Sequence, residues 1–214
     1  MSLYRSQQDF IRENIKNTDV VLDVGFWGQG IPSTAPNWPH RVLKETARDI
    51  YGIDLAYDGS MGNHYRKGNA EEFDFSLRFD IIYAGELVEH LSNPGRFLQS
   101  CMRNMKPGGM LIVTTPNCFN FYNLVDKLFR REPLVNSDHT CYFNERTLQQ
   151  LCAKNGCEVI HTDYIYSLGF GFAESPKKKL LNGIYRVLSF FTDKFVGTIA
   201  VRIVHASVAT GREG

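Results

Sequence analysis

The chain has 214 residues with 24 Lys and Arg against 23 Asp and Glu, a formal net charge of +1, so no global charge draws it to nucleic acid or another polyanion. That length suits a single α/β domain with insertions, here read as residues 1–214. Five cysteines (Cys101, Cys118, Cys141, Cys152, Cys157) form no C-x-x-C pair and suit reduced thiols in a cytoplasmic protein, and neither an export signal nor a membrane-spanning run is expected.

Residues 6–16 place Phe10, Ile11 and Ile15 among polar neighbours, a short amphipathic helix expected to cover the ligand-binding edge. Asn17-Thr18-Asp19 breaks it before a strand at 20–24, which runs into Gly25-Phe26-Trp27-Gly28-Gln29-Gly30. Closely spaced glycines after an apolar strand let backbone approach a ligand at the carboxyl edge of a parallel sheet. Pro32, Pro36 and Pro39 delay the crossover helix to roughly 40–48, and Ile50–Asp54 is the second strand, with Asp54 placed to accept hydrogen bonds from a ribose. Tyr57–Asn69 reads as loop with a strand edge near Tyr65.

Phe79–Ala84 is a buried parallel strand, Asn93–Met105 a helix with Pro94 in its first turn, Lys106–Gly109 its stop, and Met110–Thr115 another strand. Residues 121–132 form an inserted amphipathic helix where a lid would stand. Glu145–Asn155 is a helix closed by Gly156, Cys157–Ile165 and Phe195–His205 are strands, and 176–194 is a basic amphipathic helix. Buried strands alternating with helices give an α/β, doubly wound, seven-stranded and mostly parallel sheet with a C-terminal antiparallel strand.

Over about residues 18–165 the chain resembles the class I S-adenosylmethionine-dependent methyltransferases. The glycine turn matches their first motif, Asp54 their ribose-binding acid, Gly68–Phe73 their adenine loop, Phe79–Leu91 their fourth-strand motif and Met105–Leu111 the turn before strand five. The resemblance implies S-adenosylmethionine as cofactor, held by Asp23, Gly25, Gly28, Gly30, Asp54, Asn69, Ala70, Glu71, Ala84 and Gly85. Adenosylmethionine has no phosphate, which agrees with the absence of G-x-G-x-x-G spacing here. One departure stands out: Phe26-Trp27 occupies the place of the small residue that usually follows the first glycine.

Substrates of doubly wound sheets lie beyond the carboxyl ends of the strands, where the chain reads Gly85-Glu86-Leu87-Val88-Glu89-His90-Leu91. One helical turn would gather Glu86, Glu89 and His90 on one face. With His139 this E-x-x-E-H pattern looks like the metal-binding set of the small-RNA 3′-end methyltransferases, and its first part like that of the ubiquinone-pathway O-methyltransferases. Glu86, Glu89, His90 and His139 could hold a Mg- or Mn-class ion; alternatively the glutamates cap the next helix. Without metal, His90 or His139 would serve as general base, with Glu86 beside them. Phe119, Phe121, Tyr122 and Tyr142 are the candidate acceptor-side wall. His40, His64, His161 and His205 lack a motif context.

The function read from this is O-methylation of a small-molecule or saccharide acceptor. Two alternatives stay open: a metal-using RNA 3′-end methyltransferase, which balanced charge disfavours, and a nucleoside-binding scaffold without catalysis, which Phe26-Trp27 would favour. Peripheral membrane contact through the Lys177–Lys179 helix is weighed against simple packing of that helix on its own sheet, and the oligomeric state is left open.

Overall fold

Apolar strands organise the chain. The computed structural model describes residues 2–27, 34–129, 136–166, 176–192 and 194–206. Its strands are β1 (Leu3–Tyr4), β2 (Val20–Val24), β3 (Asp49–Asp54), β4 (Tyr65–Lys67), β5 (Phe79–Gly85), β6 (Met105–Pro116), β7 (Cys157–Ile165) and β8 (Thr198–His205). They form one sheet in the order β1-β7-β8-β6-β5-β2-β3-β4, in which β8 runs antiparallel to both neighbours and the other pairs are parallel.

The sheet has eight strands rather than the expected seven. The addition is β1, whose Leu3 and Tyr4 pair with Tyr164 and Ile165. Two residues carry no periodicity to read; tertiary bonds hold the strand, with the Ser2 N–H donating to Asp163 Oδ1 at 2.9 Å. The helices are α1 (Gln7–Asn14), α2 (Pro39–Thr46), α3 (Pro94–Asn104), α4 (Phe121–Phe129), α5 (Glu145–Lys154) and α6 (Pro176–Phe191). Side-chain caps start three of them: Ser6 accepts from Asp9 N–H, Asn93 from Arg96 N–H, and Asn144 forms a capping box with Thr147, each worth about 1 kcal/mol.

The two faces of the sheet bury separate clusters. Val20, Leu22 and Val24 pack with Phe97, Leu98 and Leu148 beneath α3 and α5. Val21, Ile81 and Tyr83 pack with Phe10 and Ile11 of α1 and Val42 and Leu43 of α2. Alternation along a central strand puts successive side chains on opposite faces. Phe10 and Ile11 are both fully buried, contributing about 1.5–3 kcal/mol each. Helix α1 therefore covers a sheet face; what it presents to the carboxyl edge is its first residue, Gln7.

The Lys106–Gly109 turn belongs to β6 itself. Phe79 pairs with Met105 and Ile81 with Met110, so the pairing is irregular there, and Gly108 adopts φ +77°. Strand β8 begins at Thr198 because Phe195 packs on α4 and α6 instead. All five cysteines are free thiols, and among the described residues no helix is long and apolar enough to cross a membrane.

Candidate cofactor and acceptor site

Parallel pairing brings the ends of β2, β5 and β6 to one edge of the sheet. Gly25 leaves β2 at φ +78°, a conformation that favours glycine, and a Cβ there would stand 2.8 Å from Leu87 Cδ1. Its N–H donates to the Ile53 carbonyl at 2.8 Å, which fixes the turn to β3. Gly28 and Gly30 lie outside the described residues.

Phe26 is buried beside Trp38, Tyr57, His40 and Tyr65. Space for its ring comes from Gly52 in β3, where a Cβ would lie 2.7 Å from both Phe26 Cε1 and Tyr65 Cδ1. The bulk that the sequence places after the first glycine is thus taken up by an aromatic cluster between α2 and β4. Phe26 is fully enclosed and cannot withdraw freely, so Gly52→Ala should cost about 1–3 kcal/mol and lower the melting temperature by several degrees; an unchanged melt would show that the cluster is loose.

The acids of the first two strands have different surroundings. Asp23 is buried and faces α2: His40 Nδ1 lies 2.8 Å from its Oδ2, and His40 Nε2 lies 3.1 Å from the Tyr65 hydroxyl. Loss of hydration raises the Asp23 carboxyl above its ordinary range, against the lowering effect of His40. Asp54 ends β3 and accepts from the Trp27 N–H at 2.9 Å and the Ala56 N–H at 2.7 Å. A carboxylate oxygen has room for a second donor, so Asp54 anchors the glycine turn and can still accept from a hydroxyl.

In the expected adenine loop, Asn69 accepts from Glu71 N–H at 2.9 Å, an Asx turn. Glu71 accepts from the Asn93 N–H at 2.8 Å ahead of α3. Buried Asn104 donates to Phe73 O and Ser100 O and accepts from Phe75 N–H. That residue pins the loop to α3. Ala70 lies between these anchors, and Ala84 and Gly85 close β5 in the buried interior.

Beyond β5 the chain turns sharply. Glu86 sits at φ +49°, the non-glycine residue with positive φ among those described, and its N–H donates to Thr114 O at 2.9 Å. Such a conformation costs free energy and needs surrounding support. A 3-10 turn, Val88–His90, follows in place of a full helical turn, so Glu86 stands outside it. Glu89, His90 and His139 come together instead, with ligating atoms within 4.8 Å of one another.

Thr140 assembles this group. Its N–H and hydroxyl both donate to the Glu89 carbonyl, at 2.8 and 3.1 Å, and its hydroxyl lies 2.7 Å from the Leu91 carbonyl. The His139 ring thereby stands perpendicular to His90 with centroids 4.6 Å apart. Glu89 is 2% exposed; its Oε2 accepts from the Thr115 hydroxyl at 2.9 Å, while Oε1 is buried with no hydrogen-bond partner among the described residues. Burial, followed by the nearby Glu89 charge, pushes the Glu86 carboxyl up into the neutral region, and burial raises Glu89. Burial and then His90 lower His139, so it is neutral at pH 7 and offers a nitrogen lone pair.

Several residues of the site carry no sequence signal. Gln7 Nε2 donates to the Tyr83 hydroxyl at 2.6 Å and lies 3.3 Å from Thr114 Oγ1, which links α1 to the backbone that supports Glu86. Thr115 and Thr140 read as ordinary strand and loop residues. The expected aromatic wall divides: Phe121 and Tyr122 are buried against Tyr185 of α6, whereas Phe119 and Tyr142 are more than half exposed. The first pair are core residues because α6 covers them.

A sequence profile described as a methyltransferase domain matches residues 6–162. A ubiquinone biosynthesis O-methyltransferase of Bradyrhizobium sp. is 45% identical over 62 residues, 29% of this chain and 24% of that protein. A Mycolicibacterium smegmatis protein named "Probable S-adenosylmethionine-dependent methyltransferase/" is 29% identical over 143 residues, 62% of this chain and 52% of its own length. The chain thus spans about a quarter to a half of these curated relatives. Among solved structures, the Burkholderia thailandensis 1,6-didemethyltoxoflavin-N1-methyltransferase with bound 1,6-didemethyltoxoflavin and S-adenosylhomocysteine superposes with TM-score 0.57 at 14% identity, covering 93% of this chain and 76% of that one. The matched profile spans well over half of the residues, and with the sheet order and the glycine turn it places the chain in the class I S-adenosylmethionine-dependent methyltransferase family.

Proposed function

We propose that the chain transfers the methyl group of S-adenosylmethionine to a hydroxyl oxygen of a small-molecule or saccharide acceptor. The observation that carries this reading is the Glu89–His90–His139 cluster at the carboxyl edge, beside the β2 turn. The cofactor would lie over Gly25 with its ribose on Asp54 and its adenine against Asn69–Glu71. Relatives named as O-methyltransferases support oxygen as the atom methylated.

The cluster offers a divalent cation one carboxylate oxygen that has no hydrogen-bond partner among the described residues and two converging imidazoles, a mixed N,O set that suits Mn better than Mg. A Mg- or Mn-class ion bound there would orient the acceptor hydroxyl and lower its pKa. The chain's own groups do the rest. Thr115 holds the Glu89 carboxylate and Thr140 holds the loop bearing His139; without an ion, His139 would instead be free to take the hydroxyl proton. Methyl transfer needs little covalent help, since the sulfonium is already activated and alignment supplies much of the rate.

The test measures labelled methyl transfer to hydroxylated small molecules, monosaccharides and RNA with a free 3′ end, before and after chelation. Transfer to a small hydroxylated acceptor, falling about a hundredfold on chelation and restored by Mg2+ or Mn2+, is the expected result. Transfer to RNA alone, or cofactor binding without turnover on any acceptor, would overturn the assignment; full activity in chelator would remove the ion and leave the histidines as base.

A further inference from the structure

Helix α6 is apolar on two sides. Leu181, Tyr185 and Leu188 pack inward on the Phe121–Tyr122–Val125 side of α4, while Leu180, Ile184 and Val187, also at helical spacing, are 66%, 42% and 59% exposed. Its partner helix repeats the arrangement, with Leu128 and Phe129 at 80% and 83% exposed. One apolar stripe suffices to dock a surface helix. A second, on both members of a touching pair, exceeds what this fold uses for packing and marks an interaction surface.

The sequence charge of the α6 segment is mostly positive. In a chain of net charge +1, residues 176–194 contain Lys177, Lys178, Lys179, Arg186 and Lys194 against Asp193; Arg186 and Lys194 are exposed. A second copy meeting this face about a two-fold axis would bring like charges together. An anionic lipid surface would neutralise them while accepting the apolar side chains.

We infer that the outward faces of α4 and α6 dock on a bilayer surface bearing anionic headgroups. The helix pair is fastened to the edge that carries the Glu89–His90–His139 cluster. Asn117, just after β6, donates to Lys194 O at 2.8 Å and Val196 O at 3.1 Å, and the Phe121 N–H donates to Phe195 O at 2.9 Å. Docking would set the reacting edge near the membrane, so that an acceptor with an apolar tail could reach it without fully entering water. The docking itself does not depend on the methyltransferase reading.

Co-sedimentation of the full chain with vesicles of phosphatidylcholine alone, or with phosphatidylglycerol added, tests it. Binding should need the anionic lipid and should weaken in 1 M salt, where screening shortens to about 3 Å. Leu128→Ser with Phe129→Ser, or Ile184→Ser with Val187→Ser, should lower the partition coefficient at least about tenfold with an unchanged thermal melt. These side chains are exposed, so the variants should fold; Phe129→Trp adds a second check through a blue shift in emission on vesicle addition. Failure to bind anionic vesicles, equal binding by the serine variants, or a wild-type dimer that they convert to monomer would overturn the proposal, the last by identifying a second copy as the occupant.

Discussion

A Glu89→Gln variant should lose at least about a hundredfold in kcat/KM and yet melt higher than the wild type at pH 8. The two effects share one cause. Glu89 is 2% exposed, and one of its oxygens has no hydrogen-bond partner among the described residues, an arrangement that costs stability and that a folded core alone would not call for. Burial raises both Glu86 and Glu89 above the 4.5 of an ordinary glutamate, with the Glu89 charge adding to the rise at Glu86. Between the unfolded and folded values the native state binds more protons than the unfolded chain, so stability is fully present below about pH 4.5 and falls as pH rises through the neutral region. Glutamine removes one charge from the pair. The difference in melting temperature between pH 5 and pH 8 should therefore shrink, by about 3 °C or more for a chain of this size. Calorimetric melts at the two pH values, with initial rates on the same protein, read both outcomes. An unaltered pH slope would mean that water reaches the pair and the carboxyls are not shifted, and a variant that is both active and stabilised would remove Glu89 from the reacting site.

The sheet was legible because its strands are long apolar runs with punctuation between them. Strand β7 matches the expected Cys157–Ile165 at both ends, and Asn93, Pro94 and Gly156 mark helix ends by side-chain or backbone chemistry that is local to them. What lay beyond the sequence was set by contacts distant along it. The eighth strand exists through Asp163 and Ser2, 161 positions apart. His40 has no motif, and its place between Asp23 and Tyr65 depends on α2 lying over β2 and β4. Spacing suggested that Glu86, Glu89 and His90 would share a helical face. A left-handed Glu86 and a 3-10 turn leave Glu89 and His90 to meet His139 instead. The Phe26-Trp27 departure had two readings in the sequence, and Gly52, 26 positions downstream, is the residue that makes room for the ring.

Asp54 carries the second large effect: Asp54→Ala should weaken S-adenosylhomocysteine binding about a hundredfold and also lower the melting temperature without ligand. Its two oxygens receive the Trp27 and Ala56 N–H groups, so removal leaves one donor of the glycine turn and one of the loop after β3 without their charged acceptor. Hydrogen bonds to a charged group contribute about 1.5–3 kcal/mol each, and two from a ribose would account for the expected loss of affinity. Asp54→Asn separates the contributions. An amide presents one acceptor oxygen and a donor nitrogen, so it can keep one backbone bond but sets N–H against N–H at the other. It should melt between wild type and Asp54→Ala, and it should still bind adenosylhomocysteine poorly, since one of its two ends can no longer accept from the sugar. Asp58→Ala, in the exposed loop after β3, serves as a control for general effects of removing negative charge nearby. Titration calorimetry against all three variants decides the matter: if Asp54→Ala binds adenosylhomocysteine as tightly as wild type while melting lower, Asp54 is an anchor of the turn alone, and the ribose must be held from another strand.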